Sequence, residues 1–430
     1  MTTKQGYRKK SMVNIFSQGS EFMGQYPISL EEAIEWLASF GGEPDGGVTR
    51  TLYSQPWKEA QQALKGWMED AGLLTNYDSI GNLFGRLPSP HHNAKTILIG
   101  SHVDTVKSGG KYDGAYGIIA GIMALDFLKE KYGQPAINLE VVSFCEEEGS
   151  RFPLALWGSG MMTGLYSYKD IVDIKDSEGI IFETAMMAAG FRNSEYRVRK
   201  DIQTFIELHI EQGPTLEKVE KSIGIVKAIV GQKRFRITVN GESNHVGTTS
   251  MKWRRDALHG AVNMIHDLYE IAKKYDEDLI TSVGQLFVEP NVPNVIPNQV
   301  QFTVDARHPN ESVLRSFCQQ FSQQFQEHAK KRDLSIHVEM WHEVQPAQMD
   351  NKLNEIIQNI CTSSAISFYR MNSGAGHDAQ LFARVCPTTI LFVPSQGGSS
   401  HSPLEYTSTK DLETGLEVLI QLLHQLAYNR

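Results

Sequence analysis

The stretch TILIGS, at residues 96–101, is an apolar run that ends in two small residues. A short apolar run bounded by turn-forming residues predicts a buried β-strand. A glycine-rich loop follows, after which residues 118–129 have the pattern of a helix and residues 139–144 that of a second strand. This order predicts an α/β fold built on a mixed, mostly parallel sheet with helices on both faces. Functional residues collect at the carboxyl ends of the strands in such sheets.

The apolar pattern changes in the middle of the chain. Residues 235–239 and 301–305 alternate between apolar and polar positions, as strands with one exposed face do. Helical stretches lie between and after them, which predicts a smaller α+β domain inserted into the first. We therefore expect a catalytic domain formed by residues 1–228 and 346–430, with the inserted domain at residues 229–345.

Length and composition are those of an ordinary globular protein. The chain has 430 residues, of which 41% are hydrophobic, and two domains are the usual outcome at this length. Its net charge of −9 argues against a nucleic-acid partner. No apolar run reaches the ~18 residues of a membrane helix, and residues 1–15 lack the apolar segment of a secretory signal. We therefore expect a cytoplasmic protein with no membrane partner.

Residues that can bind metals follow the predicted strands. These positions hold a histidine, an aspartate, a glutamate and two further histidines: His102, Asp113, one residue of the run Glu146–Glu148, His209 and His401. Three imidazoles and two carboxylates are a suitable ligand set for two divalent ions. One carboxylate, such as Asp113, can bridge two ions that lie about 3.5–4 Å apart.

Each of these residues also has an ordinary structural explanation. A single histidine at a strand end is more often a hydrogen-bonded structural residue, and the run Glu146–Glu148 could be a solvated turn. However, three adjacent carboxylates directly after an apolar strand repel one another, and a cation would relieve that repulsion. Asp104 is well placed to accept the second ring N–H of His102, or alternatively to cap its own loop.

Seven motifs in collinear order carry a resemblance to a known family. They are GSHVDTVKSGGKYDG, EEEGSRFP, ELHIEQG, GESNHVGTTSM, NVIPN, SGAGHDA and GGSSHSP. The chain resembles, over about residues 30–430, the ureidohydrolase branch of the aminoacylase/carboxypeptidase-like di-metal family. That branch includes allantoate amidohydrolases, N-carbamoyl-L-amino acid hydrolases and one type of β-ureidopropionase.

The resemblance implies roles for the residues at the predicted strand ends. His102, Asp113, Glu148, His209 and His401 match the metal ligands, and Asp113 matches the bridging one. Glu147 matches the general base, which takes a proton from the attacking water and passes it to the leaving nitrogen. The resemblance favours manganese as the metal, and zinc, cobalt or nickel also suit these ligands.

The inserted domain is similar to a lid and dimerisation domain, so a homodimer is expected. His245 matches a residue that polarises the substrate carbonyl or stabilises the tetrahedral oxyanion. Asn294 and Arg307 match substrate-binding positions, and an arginine fork suits a carboxylate. Without the resemblance, Arg307 would be a surface salt bridge and Asn294 a turn residue. Gln212 and His377 are further candidate contacts with a small ureido-carboxylate substrate.

Within this branch, three features look more like those of an enzyme acting on allantoate: WGS at residues 157–159, Ser243, and the stretch from residue 46 to residue 54. We therefore expect hydrolysis of allantoate to ureidoglycine, ammonia and carbon dioxide. Ser250 and the Ser402–Leu404 segment depart from the usual pattern of the branch. An N-carbamoyl-L-amino acid hydrolase or β-ureidopropionase is the alternative. An inactive metal- or substrate-binding protein is a second alternative, against which the presence of Glu147 argues.

Overall fold

The structure is a computed structural model that describes residues 29–192 and 194–428. Residues 1–15, on which the expectation about a secretory signal depends, lie outside this described part. The chain divides into two compact units. The first extends to Lys227 and resumes at Met349–Met371 and from His377 onward, and the second comprises Ala228–Gln348 and Asn372–Gly376.

The elements of the described chain are numbered in chain order. The strands are β1 (Leu74–Tyr77), β2 (Leu83–Leu87), β3 (Thr96–His102), β4 (Asn138–Phe144), β5 (Ile202–Ile210), β6 (Ile223–Ile229), β7 (Gly231–Asn240), β8 (Ile280–Ser282), β9 (Leu286–Glu289), β10 (Gln299–His308), β11 (Ser335–Val344), β12 (Ala347–Gln348), β13 (Phe368–Ser373) and β14 (Thr388–Val393). The helices are α1 (Leu30–Ala38), α2 (Gln55–Asp70), α3 (Ala115–Tyr132), α4 (Trp157–Thr163), α5 (Phe182–Ala188), α6 (Thr215–Lys218), α7 (Ala257–Ala272), α8 (Glu311–Lys331), α9 (Asn351–Ser363), α10 (Ala379–Phe382) and α11 (Thr409–Ala427).

The first sheet has the strand order β1-β2-β4-β3-β5-β14-β6-β12, and β13 also pairs with β6. Its central strands are parallel, because β3 runs parallel to both β4 and β5, and β14 runs parallel to β5. The pairs β1–β2, β2–β4 and β6–β14 are antiparallel. This arrangement confirms the predicted mixed α/β class.

Burial explains why the central strands lack an alternating pattern. Every residue of β3, β4 and β14 is buried, as expected of strands covered on both faces. Helix α3, which packs on β3, β4 and α11, is apolar nearly all round because it too is surrounded by protein. Strand β3 extends three residues beyond the apolar run TILI, because Ser101 and His102 still pair with β4.

The second unit contains a smaller antiparallel sheet. Its order is β11-β7-β10-β8, with β9 also paired to β10. Strands β7 and β10 alternate between buried and less buried positions, and α7 and α8 pack on the sheet and on each other. Half-exposed strands and two helices form the predicted α+β domain. Hydrogen bonds between the segment Asn372–Gly376 and this unit include Val230 N–H to Ser373 O at 3.0 Å, Arg307 Nη1 to Gly374 O at 2.8 Å and Asn372 Nδ2 to Asp278 Oδ1 at 2.8 Å.

Among the described residues, no helix combines the length and the apolarity that crossing a bilayer requires.

Candidate metal centre

The carboxyl ends of four adjacent strands bring the predicted metal ligands together. His102 is the last residue of β3, and His209 lies one residue before the end of β5. Their rings lie 5.9 Å apart. Glu147 and Glu148 follow β4, and His401 lies in the loop after β14. Because β4, β3, β5 and β14 are parallel neighbours, these residues meet at one edge of the sheet.

Asp113 belongs to two groups of possible metal ligands. Its Oδ1 lies 3.5 Å from His102 Nε2 and 3.1 Å from His209 Nε2. Its Oδ2 lies 3.2 Å from His401 Nε2, which in turn is 3.3 Å from Glu148 Oε2. Each oxygen of Asp113 therefore faces a different group, which is the arrangement that a bridging carboxylate requires.

Hydrogen bonds orient two of the three imidazoles toward Asp113. His102 Nδ1 lies 3.0 Å from the carbonyl oxygen of Asp104, and His209 Nδ1 lies 2.8 Å from that of Ile210. A carbonyl oxygen can accept a hydrogen bond but cannot donate one, so Nδ1 of each ring carries the hydrogen. Nε2 of each ring then presents a lone pair to Asp113. A lone pair aimed at a carboxylate oxygen is unfavourable unless a cation or a proton lies between them. The residues present therefore fit divalent cations.

The ionisation of the cluster leads to the same conclusion. Hydrogen bonding to Asp113 raises the pKa of His401 to about 9. Burial works against a charged His209, yet its hydrogen bond to Asp113 still raises the pKa of that ring. Burial raises the pKa of Glu148 to about 7, and the charge of Asp113 adds to the shift. Protons bound to these side chains thus reduce the repulsion among the carboxylates, and a bound metal ion would displace these protons.

Glu147 faces the same centre. Its Oε2 lies 3.9 Å from His102 Nε2, and together with His102 and Glu148 it forms a further group of possible ligands. Burial raises its pKa well above the usual range, and the nearby His102 opposes that shift. A raised pKa makes the carboxylate a stronger proton acceptor than an ordinary glutamate.

Asp104 supports the centre through its carboxylate and its main chain in different ways. The carboxylate is fully buried and accepts the backbone N–H groups of Glu147, at 3.0 Å, and of Glu148, at 3.0 Å. The His102 ring instead approaches the main-chain carbonyl, and the nearest carboxylate oxygen is 3.8 Å from Nδ1. Asp104 thus orients the turn that carries both glutamates.

Two of the predicted substrate contacts lie beside the ligands. Gln212 Nε2 donates to Asp113 Oδ2 at 2.8 Å. His377 is only 2% exposed, and its ring stands edge-on to that of His209 with 4.6 Å between the centroids. Both side chains therefore contact metal-ligand candidates, and their contact with a substrate stays a prediction.

The remaining predicted residues lie in the second unit. His245 forms a β-bridge with Val295, and the N–H of Val246 donates to the carbonyl of Asn294 at 3.2 Å. The segments that carry His245 and Asn294 are therefore paired. The guanidinium of Arg307 contacts Asp305 through Nε at 3.0 Å, and about a third of the side chain is exposed. Their functional roles stay predictions.

Two residues of the centre were not predicted from the sequence. Ser400 lies 3.1 Å from Asp113 Oδ2, and the buried Glu405 accepts the N–H groups of Tyr112 and Asp113. Burial raises the pKa of Glu405 to about 6. No local pattern indicates these contacts, because their partners lie almost three hundred residues apart in the chain.

The close approach of Gly114 to His102 gives a first testable prediction. Gly114 has a φ of +64°, and a Cβ there would lie 2.6 Å from two atoms of the His102 ring. We expect G114A to displace the ring and to weaken metal binding by about 10- to 100-fold, measured by isothermal titration with Mn²⁺. G179A is the control, because Gly179 has a φ of +82° with nothing within 4 Å. If G114A and G179A bind metal equally well, the position of His102 does not depend on Gly114.

The fold and the site together define a class of protein: a metal-dependent hydrolase with two ligand groups that share one carboxylate. A comparison with family profiles matches residues 98–425 to Peptidase family M20/M25/M40. The chain belongs to this family. This result confirms the family that the seven motifs predicted.

The chain is also similar to individual proteins and to solved structures. The chain is 46% identical over 402 residues to an allantoate amidohydrolase of Bacillus subtilis, covering 93% of this chain and 98% of that protein. It is 43% identical to an allantoate amidohydrolase of Escherichia coli, covering 94% and 98%. Among solved structures, a hydantoinase/carbamoylase family amidase from Burkholderia multivorans superposes with a TM-score of 0.87 at 31% identity, covering 92% of this chain and 96% of that one.

Proposed function

We propose that this protein hydrolyses a ureido C–N bond of allantoate, with ureidoglycine, ammonia and carbon dioxide as products. The observation that carries the proposal is the position of Asp113 between two ligand groups, with Glu147 beside them. Such a centre suits the addition of water to an unreactive carbonyl. The substrate is chosen by similarity to the two allantoate amidohydrolases.

Two ions are proposed for each chain. His102, His209 and Asp113 would hold one, and Glu148, His401 and Asp113 would hold the other. When bound, two such ions acidify a shared water and polarise a carbonyl oxygen. Mn²⁺ is the proposed metal, and Zn²⁺, Co²⁺ and Ni²⁺ suit the same mixture of imidazole and carboxylate ligands.

The residues of the chain then move the proton. Glu147 takes a proton from the attacking water as its oxygen adds to a ureido carbonyl carbon. The C–N bond of the tetrahedral intermediate breaks, and the same carboxyl group gives its proton to the departing nitrogen. Ammonia leaves, and the remaining carbamate loses carbon dioxide to give ureidoglycine. His245 would stabilise the oxyanion of the intermediate.

Polar side chains are the proposed contacts with the substrate. Arg307 would bind the substrate carboxylate through the remaining N–H groups of Nη1 and Nη2, since the pair of Nε and Nη2 donates to Asp305 and holds the guanidinium in one orientation. Asn294, Gln212 and His377 are the further proposed contacts. A homodimer through the inserted domain and a cytoplasmic location also stay predictions.

A substrate panel tests the proposed function. The protein is stripped of metal with a chelator, and we expect release of ammonia from allantoate to fall below detection and to return on addition of Mn²⁺. Allantoate should be used with a kcat/KM at least ~10-fold above that for N-carbamoyl-L-amino acids, because a pocket that hydrogen-bonds a second ureido group discriminates against substrates without one. Equal or preferential use of an N-carbamoyl-L-amino acid would refute the substrate assignment.

Hydrolysis of N-carbamoyl-L-amino acids is the second candidate function. The similarity to the hydantoinase/carbamoylase family amidase favours it, and its substrates have the same ureido and carboxylate groups. The same panel separates the two candidates. A protein that binds metal and allantoate without releasing ammonia would instead support an inactive binding protein, an outcome against which the position of Glu147 argues.

A further inference from the structure

Glu405 is a buried glutamate whose carboxylate connects two loops of the centre. It is 4% exposed. Its Oε1 accepts the N–H of Tyr112 at 2.8 Å and that of Asp113 at 3.1 Å, and its Oε2 accepts the hydroxyl of Ser400 at 2.8 Å. The first two donors belong to the loop of Asp113, and the third precedes His401. The Glu405 carboxylate therefore links the loop of Asp113, the candidate bridging ligand, to the segment that carries His401.

The glycine-rich loop is shaped to admit this carboxylate. A Cβ on Gly110 would overlap the carboxyl group of Glu405. A residue with a side chain at position 110 would therefore push Glu405 away from the N–H groups that it accepts. This contact gives one glycine of the loop a specific purpose.

Ser400 lies between two carboxylates and has a single hydroxyl hydrogen. Its Oγ is 2.8 Å from Glu405 Oε2 and 3.1 Å from Asp113 Oδ2. The hydrogen can be given fully to only one of the two oxygens. Asp113 Oδ2 already accepts Gln212 Nε2 at 2.8 Å. When Glu405 accepts the Ser400 hydrogen, Oδ2 therefore keeps its other lone pair for the position that it shares with His401, 3.2 Å away.

We propose that Glu405 is a positioning residue for the bridging carboxylate, and that it acts by fixing the loop of Asp113 and by withdrawing the Ser400 hydrogen from Asp113 Oδ2. The inference rests on the proposed function, because it concerns the two ions assigned there. Binding of the ion beside His401 should depend more on Glu405 than does binding of the ion beside His102 and His209. His401 has a side chain that is 49% exposed, whereas His102 and His209, at 2% and 1%, are fixed in buried strands.

The test is metal binding by the full-length protein with Mn²⁺ alone. In E405Q the amide oxygen still accepts the two backbone N–H groups, but the amide NH₂ cannot accept the Ser400 hydrogen, which then turns to Asp113. The second ion is the one proposed beside His401 and Glu148, and the first is the one proposed beside His102 and His209. We expect the second Mn²⁺ to bind ~10- to 100-fold more weakly while the first binds as in the wild type. The electron paramagnetic resonance spectrum should change from that of a coupled Mn²⁺ pair to that of an isolated ion.

A rescue variant separates positioning from general damage. S400A/E405Q has no hydroxyl hydrogen to compete for Asp113, so its second Mn²⁺ should bind within ~3-fold of the wild type. E211Q is the matched control, because Glu211 is also buried and accepts two backbone N–H groups, from Thr215 and Leu216, both at 2.7 Å. Glu211 belongs to none of the possible ligand groups in the described part of the chain, so both ions should bind to E211Q as in the wild type. If E405Q fails to fold, G110A displaces the same carboxylate and should weaken the second ion by at least ~10-fold.

The outcomes distinguish this inference from the proposed function. E405Q with wild-type affinity for both ions would overturn the role of Glu405 alone, as would a double variant that binds the second ion more weakly than E405Q does. Wild-type protein that binds fewer than two ions would overturn both proposals. Wild-type protein that binds two ions without hydrolysing any ureido acid would overturn only the proposed reaction.

Discussion

Replacing Glu147 by glutamine is expected to lower kcat for ammonia release from allantoate by about 10³- to 10⁴-fold. Glutamine has the size of glutamate but cannot take a proton from water. The side chain faces the centre at 3.9 Å from His102 Nε2, and the Asp104 carboxylate holds its backbone N–H. The measurement is steady-state kinetics on protein reconstituted with Mn²⁺.

Metal content and a neighbouring variant control this experiment. E147Q should still bind two ions, because the proposed ligand on this turn is Glu148. E146Q should keep kcat within ~3-fold of the wild type, since Glu146 belongs to none of the groups of possible metal ligands found among the described residues. An E147Q protein with two ions and more than a tenth of wild-type activity would show that another group moves the proton.

Replacing Asp113 by asparagine is expected to remove at least one ion and to lower kcat/KM by at least ~10³-fold. Asp113 belongs to both ligand groups, and each of its oxygens faces a different one. The amide of asparagine offers only one oxygen, and its NH₂ group would point at one set of ligands. Metal content per chain, measured by inductively coupled plasma mass spectrometry, gives the first result, and kinetics give the second.

H401A is the matched variant for Asp113→Asn. His401 contacts only the group of Asp113 Oδ2 and Glu148, so H401A should lose the second ion and keep the first. Asp113→Asn should weaken the first ion as well, because His102 and His209 both face Asp113 Oδ1. If D113N protein binds two ions with wild-type affinity, the carboxylate does not bridge them.

Local patterns predicted the framework of the fold from the sequence. The apolar run at residues 96–99 and the strand at residues 139–144 indicated a buried parallel sheet because strands covered on both faces need apolar residues throughout. The alternating residues 235–239 indicated the half-exposed sheet of the second unit, because strands with one exposed face alternate between apolar and polar residues. Family motifs then identified residues that the fold brings to one edge of the sheet.

What the sequence did not predict depends on contacts between distant residues. Glu405 accepts the N–H groups of Tyr112 and Asp113, and nothing near residue 405 indicates those partners. The sequence placed the Asp104 carboxylate as an acceptor for the His102 ring or as a cap of its own loop, whereas it accepts the N–H groups of the glutamate turn. Asn372–Gly376 belongs to the second unit, although it follows a segment of the first. Such pairings are set by tertiary packing and have no local signature.

The most direct test of the account is an anomalous difference map from crystals grown with Mn²⁺. Two peaks should flank Asp113, one between its Oδ1 and the rings of His102 and His209, and one between its Oδ2 and His401 with Glu148. A single peak, or peaks that do not contact Asp113, would contradict the shared carboxylate on which the proposed chemistry depends.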